Sequence, residues 1–176
     1  ARSLFTQAYQ MFTETGSRRG IAFTINNIGG IHQTIGDYEE AERLYSRAYR
    51  INKEIGDRVG VGHSLSALGN LAFFSADFDK ANDYFMQALE LRREINDMRG
   101  VADSLVDCGN VALQIDQLDQ AEQYFHESMK IRDAIGDVNG RIRALNFLGE
   151  TALRRKNFTA ARICFQKCYD ESSPRE

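Results

Sequence analysis

At 176 residues, 43% hydrophobic and 27% charged, the chain is long enough to bury a substantial core and too apolar to stay disordered over most of its length. A formal net charge of -3 and a pI near 5.7 argue against a dedicated nucleic-acid surface; no run of 18 or more apolar residues is present, and nothing reads as a signal peptide. The three cysteines, Cys108, Cys164 and Cys168, are an odd number that builds no disulfide framework and suits a reducing compartment, so the expected location is cytoplasmic, with no membrane and no nucleic acid as partner.

In chain order, two helical patterns alternate between short turn signals. An incomplete helix B at 1–15 comes first. Helix A then runs roughly over 18–35, 58–75, 98–115 and 138–155, and helix B over 38–55, 78–95, 118–135 and 158–171. The buried stripe of helix A shows in Val61, Leu65, Leu68 and Leu71, and again in Val101, Leu105, Cys108 and Val111. That of helix B shows in Tyr38, Ala41, Leu44, Tyr45, Ala48, Ile51 and Ile55.

Written at a period of 40, the chain aligns without insertion or deletion: Gly20, Gly60, Gly100 and Gly140 fall in one column, Gly29, Gly69, Gly109 and Gly149 in another, and Ala1, Ala41, Ala81, Ala121 and Ala161 in a third. A fixed period of this length marks a solenoid, in which each unit buries its apolar face by stacking on its neighbours. The expected fold is all-α, a right-handed α-solenoid of antiparallel helix pairs with about nine helices.

The turns carry their own chemistry. Gly56 and Gly136, with Asn96 between them, are placed to end helix B in a left-handed residue. Asp57, Asp97 and Asp137 follow as N-caps of helix A, and Asp37, Asp77 and Asn157 as N-caps of helix B, Asp37 standing at capping-box spacing from Glu40. The single proline, Pro174, lies past the last helical pattern. A mid-helix glycine costs about 1 kcal/mol relative to alanine, so the column Gly29 to Gly149 predicts close approach of helix B, with Phe5, Tyr45, Phe85, Phe125 and Phe165 supplying bulk between the helices.

Leu68-Gly69-Asn70, followed by Ala81, Phe85 and Ala88, together with its echoes, resembles the tetratricopeptide repeat. The unit of 40 looks like the lengthened subtype of Pins/LGN-type adaptors, and is similar to arrays in bacterial multidomain signalling ATPases and transcription regulators. His32 and Ala72 depart from the tyrosine the family often has, and the usual loop proline is missing. The resemblance implies a single array over 1–176: a partial repeat 1–16, then repeats 17–56, 57–96, 97–136 and 137–173. Because Ala1 matches Ala41, the array opens inside a repeat, and the chain is expected to be a piece of a longer protein.

Chemistry of other kinds finds little support. His32, His63 and His126 occupy different columns, with His32 read as a satisfied core residue and His126 as exposed. Cys164 and Cys168 have metal-ligand spacing, but their columns hold Leu44, Tyr84 and Tyr124, and Ala48, Ala88 and Ser128, which reads as packing. Gly56-Asp57-Arg58-Val59-Gly60 lacks the lysine and hydroxyl of a phosphate loop. No catalytic residue, metal site or cofactor is expected.

The family resemblance implies a concave groove lined by A helices, where a partner protein or peptide lies. On this sequence the carried-over positions are Phe23, Asn26, Asn27 and Gly30; His63, Ser66, Ala67, Asn70 and Phe74; Asp103, Val106, Asp107, Asn110 and Gln114; Arg143, Asn146, Phe147, Glu150 and Arg154. These change from repeat to repeat. Phe73 and Phe74 make one repeat apolar, Asp103 and Asp107 the next acidic, and Arg143 and Arg154 the last mainly basic, so the expected ligand has an apolar anchor, a basic residue and an acidic residue. The plainer alternatives are that Phe73 packs between neighbouring A helices and that Asp103 pairs with Arg143. Other readings are a sensor arm of a larger signalling protein, taking a small effector or its own effector domain, and a self-association module joined through exposed end helices.

Overall fold

The computed structural model describes residues 2–172, so Ala1, Ser173 and Pro174 lie outside the described residues. Within them the chain is a run of helices: α1 (Arg2–Glu14), α2 (Arg18–Thr34), α3 (Tyr38–Glu54), α4 (Arg58–Phe74), α5 (Phe78–Glu94), α6 (Met98–Gln114), α7 (Leu118–Ile135), α8 (Val138–Arg154) and α9 (Phe158–Ser172). The A pattern is α2, α4, α6 and α8, and the B pattern is the rest. The described residues form an all-α repeat of the solenoid class.

The contacts group into two compact units, 1–91 and 92–176, divided within α5. In the first, α2 packs against α1, α3 and α4, and α3 packs against α4. Ile25, Leu44 and Ala48 form one core cluster there, and Ala41, Tyr45, Leu68 and Leu71 another. In the second, α6 packs on α7 and α8, α7 on α8, and α8 on α9, around Val106, Leu113, Ala121, Phe125 and Leu148.

The turn chemistry appears as the sequence implies. Asp57, Asp97 and Asp137 accept from the amides of Gly60, Gly100 and Gly140, at 3.1, 2.9 and 3.1 Å. Asp37, Asp77 and Asn157 do the same for Glu40, Lys80 and Ala160. The box between Asp37 and Glu40 is only half made, because the Glu40 carboxylate accepts from Arg43 at 2.6 and 2.5 Å. Gly56, Asn96 and Gly136 are left-handed, with φ of 69°, 56° and 69°. The other turn, from helix A to helix B, uses Ala76, Asp116 and Lys156 at φ near 60° as well, a strain the sequence does not announce.

The mid-helix glycines seat aromatic rings. A Cβ on Gly29, Gly69, Gly109 or Gly149 would come within 2.7, 2.5, 2.4 and 2.7 Å of the rings of Tyr45, Phe85, Phe125 and Phe165. Ring and missing side chain are thus one device, used in every full repeat. Tyr38, expected in the buried stripe, is exposed instead, since it opens α3 at the turn.

Candidate partner-binding site

In the first unit the A-helix positions converge on a cavity. Phe23, Asn26 and Asn27 of α2 and His63 of α4 line a concavity of about 400 Å³, together with Arg19, Ala22, Asn52, Asp57, Val59, Gly60 and Ser64. Phe23 stands 65% exposed at its edge. Asn27 spends its amide group on the Phe23 carbonyl at 2.8 Å, which leaves its oxygen as an acceptor. Asn26 Oδ1 is shielded from solvent and has no hydrogen-bond partner, a state that costs about 1–3 kcal/mol. Ser66 Oγ, one repeat further along the same column, is shielded and unpartnered too. Ser66, Asn70 and Phe74 continue this face of α4 outside the cavity; Asn70 is half-buried, and the exposed Phe74 ring lies 6.1 Å from Phe73.

Phe73 is half-buried. Its ring contacts, besides Phe74, reach Phe78 at 5.6 Å, so it closes its own hairpin onto the start of α5. His32 is satisfied, with Nδ1 2.9 Å from Asp37 Oδ2, and His126 is exposed, both as the sequence implies.

The second unit presents a network of charges. Asp103 Oδ1 accepts from Arg143 at 2.5 Å and from Arg132 at 2.6 Å, and Arg132 also reaches Asp137 at 2.6 Å. The pairing of Asp103 with Arg143 is therefore made, and neither group waits unpaired for a ligand. Arg154 donates to the Leu113 carbonyl at 2.8 Å, closing the last turn of α6, and lies 3.7 Å from Glu150. Asn146 is exposed and Asn110 half-buried. Two carried-over positions belong to the core: Val106 is fully buried, and Phe147 stacks on Phe125 at 5.2 Å between centroids. Their apolar side chains follow the buried stripe and leave the free face to their polar neighbours.

Asp107 behaves differently from Asp103. It keeps part of its surface open, yet protein surrounds its carboxyl closely enough that desolvation pushes its pKa up to about 7, against the attraction of Arg92, Arg143 and Arg132. Burial pushes the Cys108 thiol up to about 12, which makes it inert packing. Among the described residues no cluster of three metal-ligating side chains occurs.

One column was missed by sequence reasoning. Asn52, Arg92 and Arg132, at the ends of α3, α5 and α7, are 5%, 5% and 2% exposed, and each lies over the glycine eight residues later. Asn52 donates to Ser64 at 3.2 Å, and Arg92 donates to Ser104 at 2.6 Å and to the Gly100 carbonyl at 3.2 Å. The signal was present: Gly60, Gly100 and Gly140 align, and a bare backbone at a fixed place implies that something lies on it.

The family model that matches the chain is that of the tetratricopeptide repeat, over residues 1–54, 20–94 and 100–170. Among solved structures, a Rap protein complexed with competence and sporulation factor superposes with a TM-score of 0.87 at 13% identity, over 97% of this chain and 48% of that one. BtubC (BKLC) from P. vanneervenii gives 0.83 at 18% identity, over 96% and 69%. A signal transduction ATPase with numerous domains and a tetratricopeptide repeat sensor, from Pyrococcus horikoshii, gives 0.81 at 17%, over 97% and 27%. The chain thus spans about half the length of the Rap protein and about a quarter of the ATPase. No curated protein matches it.

Proposed function

The chain belongs to the tetratricopeptide-repeat family, and on that premise we propose that it is an interaction scaffold holding a partner protein or peptide against the free faces of its A helices. The family fold is in general a non-catalytic one that binds proteins. The observation that carries the reading is the cavity of about 400 Å³, on which Phe23, Asn26, Asn27 and His63 converge from two helices. Side chains with unmet hydrogen-bonding capacity beside an exposed aromatic form a surface that gains from an occupant. Asn70 and Phe74 extend it in the first unit. In the second, Asp103, Asp107, Asn110, Arg143, Asn146, Glu150 and Arg154 form a polar counterpart, where a ligand's charges compete with the Asp103–Arg143 pair. Residues 1–176 are read as one array with its repeats at 17–56, 57–96, 97–136 and 137–173, in the reducing setting that suits its three cysteines.

A second reading, a sensor arm of a larger signalling ATPase or transcription regulator, is supported by the match to the ATPase with a repeat sensor. It uses the same faces for an effector.

Peptides selected from a random displayed library test the binding role. Anisotropy with the double variant Phe23→Ser, Phe74→Ser is expected to show affinity at least tenfold weaker, while Tyr38→Ser, Ile163→Ser, on exposed positions of α3 and α9, leaves it unchanged. The opposite pattern would move the site to the B helices.

A further inference from the structure

The cavity of the first unit exists because one column is short there. In the second unit the corresponding place holds the Arg132 guanidinium, which accounts for its contacts to Asp103 and Asp137 at 2.6 Å each. Every neighbour has its counterpart forty residues-times-two away: Asn52 for Arg132, Gly60 for Gly140, Asp57 for Asp137, Phe23 for Asp103 and Asn27 for Asp107. Even the outer ion pair recurs, Arg19 with Asp57 at 2.6 Å and Arg99 with Asp137 at 3.6 Å. Asn52 ends where the arginine would go on, and its amide turns to Ser64.

We infer that this vacancy is a subsite for the indole side chain of a tryptophan in the partner segment; the inference rests on the binding role proposed above. The shape left by a guanidinium is planar; of the carboxylates around it in the second unit, Asp103 and Asp107 give way to a phenyl ring and an amide, and the one kept, Asp57, is already paired with Arg19 at 2.6 Å. The occupant is therefore flat and neutral. Phe23, Val59 and Ala22 supply apolar walls, and the Phe23 ring is free to stack. Arg19, 75% exposed and tethered by Asp57, offers a guanidinium to an aromatic face, an interaction strongest for tryptophan. Asn26 lines the cavity with its oxygen unpartnered, an acceptor that a donor on the occupant would satisfy, and indole is a donor only.

The chain contains no tryptophan, so the emission of an added indole reports on the ligand alone when excited where tyrosine is silent. The probe is N-acetyltryptophanamide. Saturable binding with a blue shift is expected, weakened roughly tenfold or more by Asn52→Arg, which copies the filling of the second unit, and several-fold by Phe23→Ala, which touches an exposed ring. The 1-methylindole analogue should bind several-fold more weakly than the parent, and N-acetylargininamide more weakly still. Circular dichroism and a melt establish that each variant is folded, and Phe23→Ala serves if Asn52→Arg is not. No binding up to the solubility limit, equal binding by the Asn52→Arg or Phe23→Ala variant, equal affinity of the methylated analogue, or tighter binding of the arginine amide would each overturn the subsite. Tighter binding of free tryptophan than of its capped amide would overturn the assignment to a peptide side chain. Library peptides that bind without tryptophan, alongside a silent probe, leave the scaffold role standing and remove only this inference.

Discussion

Asp107 illustrates how one column position changes meaning between repeats. Its counterparts are Asn27, Ala67 and Phe147, so neither alignment nor composition marks it as unusual. The fold places it where water is partly excluded and where Asp103 adds to the cost of its charge, while Arg92, Arg132 and Arg143 offset only part of it. With a folded pKa near 7 against about 3.9 in the unfolded chain, the native state holds this proton more tightly. Its contribution to stability is thus present below pH about 4 and is lost as pH rises through 7. The carboxylates of Asp37 and Asp137 run the other way: hydrogen bonds from His32 and from the Gly140 amide, respectively, lead in lowering their pKa values, so their contribution is lost only as pH falls below the ordinary carboxylate range. Melting temperatures of Asp107→Asn and the parent, taken from pH 5 to 8, should diverge with rising pH, the variant becoming the more stable of the two. Parallel curves would mean that Asp107 titrates as an ordinary surface carboxylate.

At the scale of helices, most of the architecture was legible. Helix bounds follow from caps and glycines to within one or two residues, because each stop and start depends on chemistry local to the turn. The pairing of helices was legible in the column Gly29 to Gly149, whose rings prove to be Tyr45, Phe85, Phe125 and Phe165. Phe85 is 1% exposed and pressed on Gly69, so Phe85→Ala should cost about 3–5 kcal/mol in chemical denaturation, and an unchanged midpoint would contradict the packing described. The candidate site was legible in part. Phe23, Asn26, Asn27 and His63 do meet in one cavity, since residues on one face of successive A helices must be near one another. What went unread was the end of helix B intruding among them: the glycine column marks the place but not what fills it. Whether Asn52 or Arg132 fills the space over a glycine depends on side-chain length and direction, which a hydrophobic pattern does not record. For the same reason Val106 and Phe147 passed as free positions, although both are packed inward.

Across the molecule, a regular scaffold carries irregular faces. Glycines, alanines and rings repeat and hold the helices together, while the positions that vary supply a cavity in one unit and an ion-pair network in the other. What recurs carries stability, and the proposed scaffold role places recognition on what does not. Photo-crosslinking tests it directly: a library-selected peptide bearing a photoreactive residue at each position in turn is bound, irradiated and mapped by mass spectrometry. Adducts are expected on the A helices, at Phe23, His63, Phe74 and Asn146 and their neighbours. Adducts confined to α3, α5, α7 or α9 would contradict it.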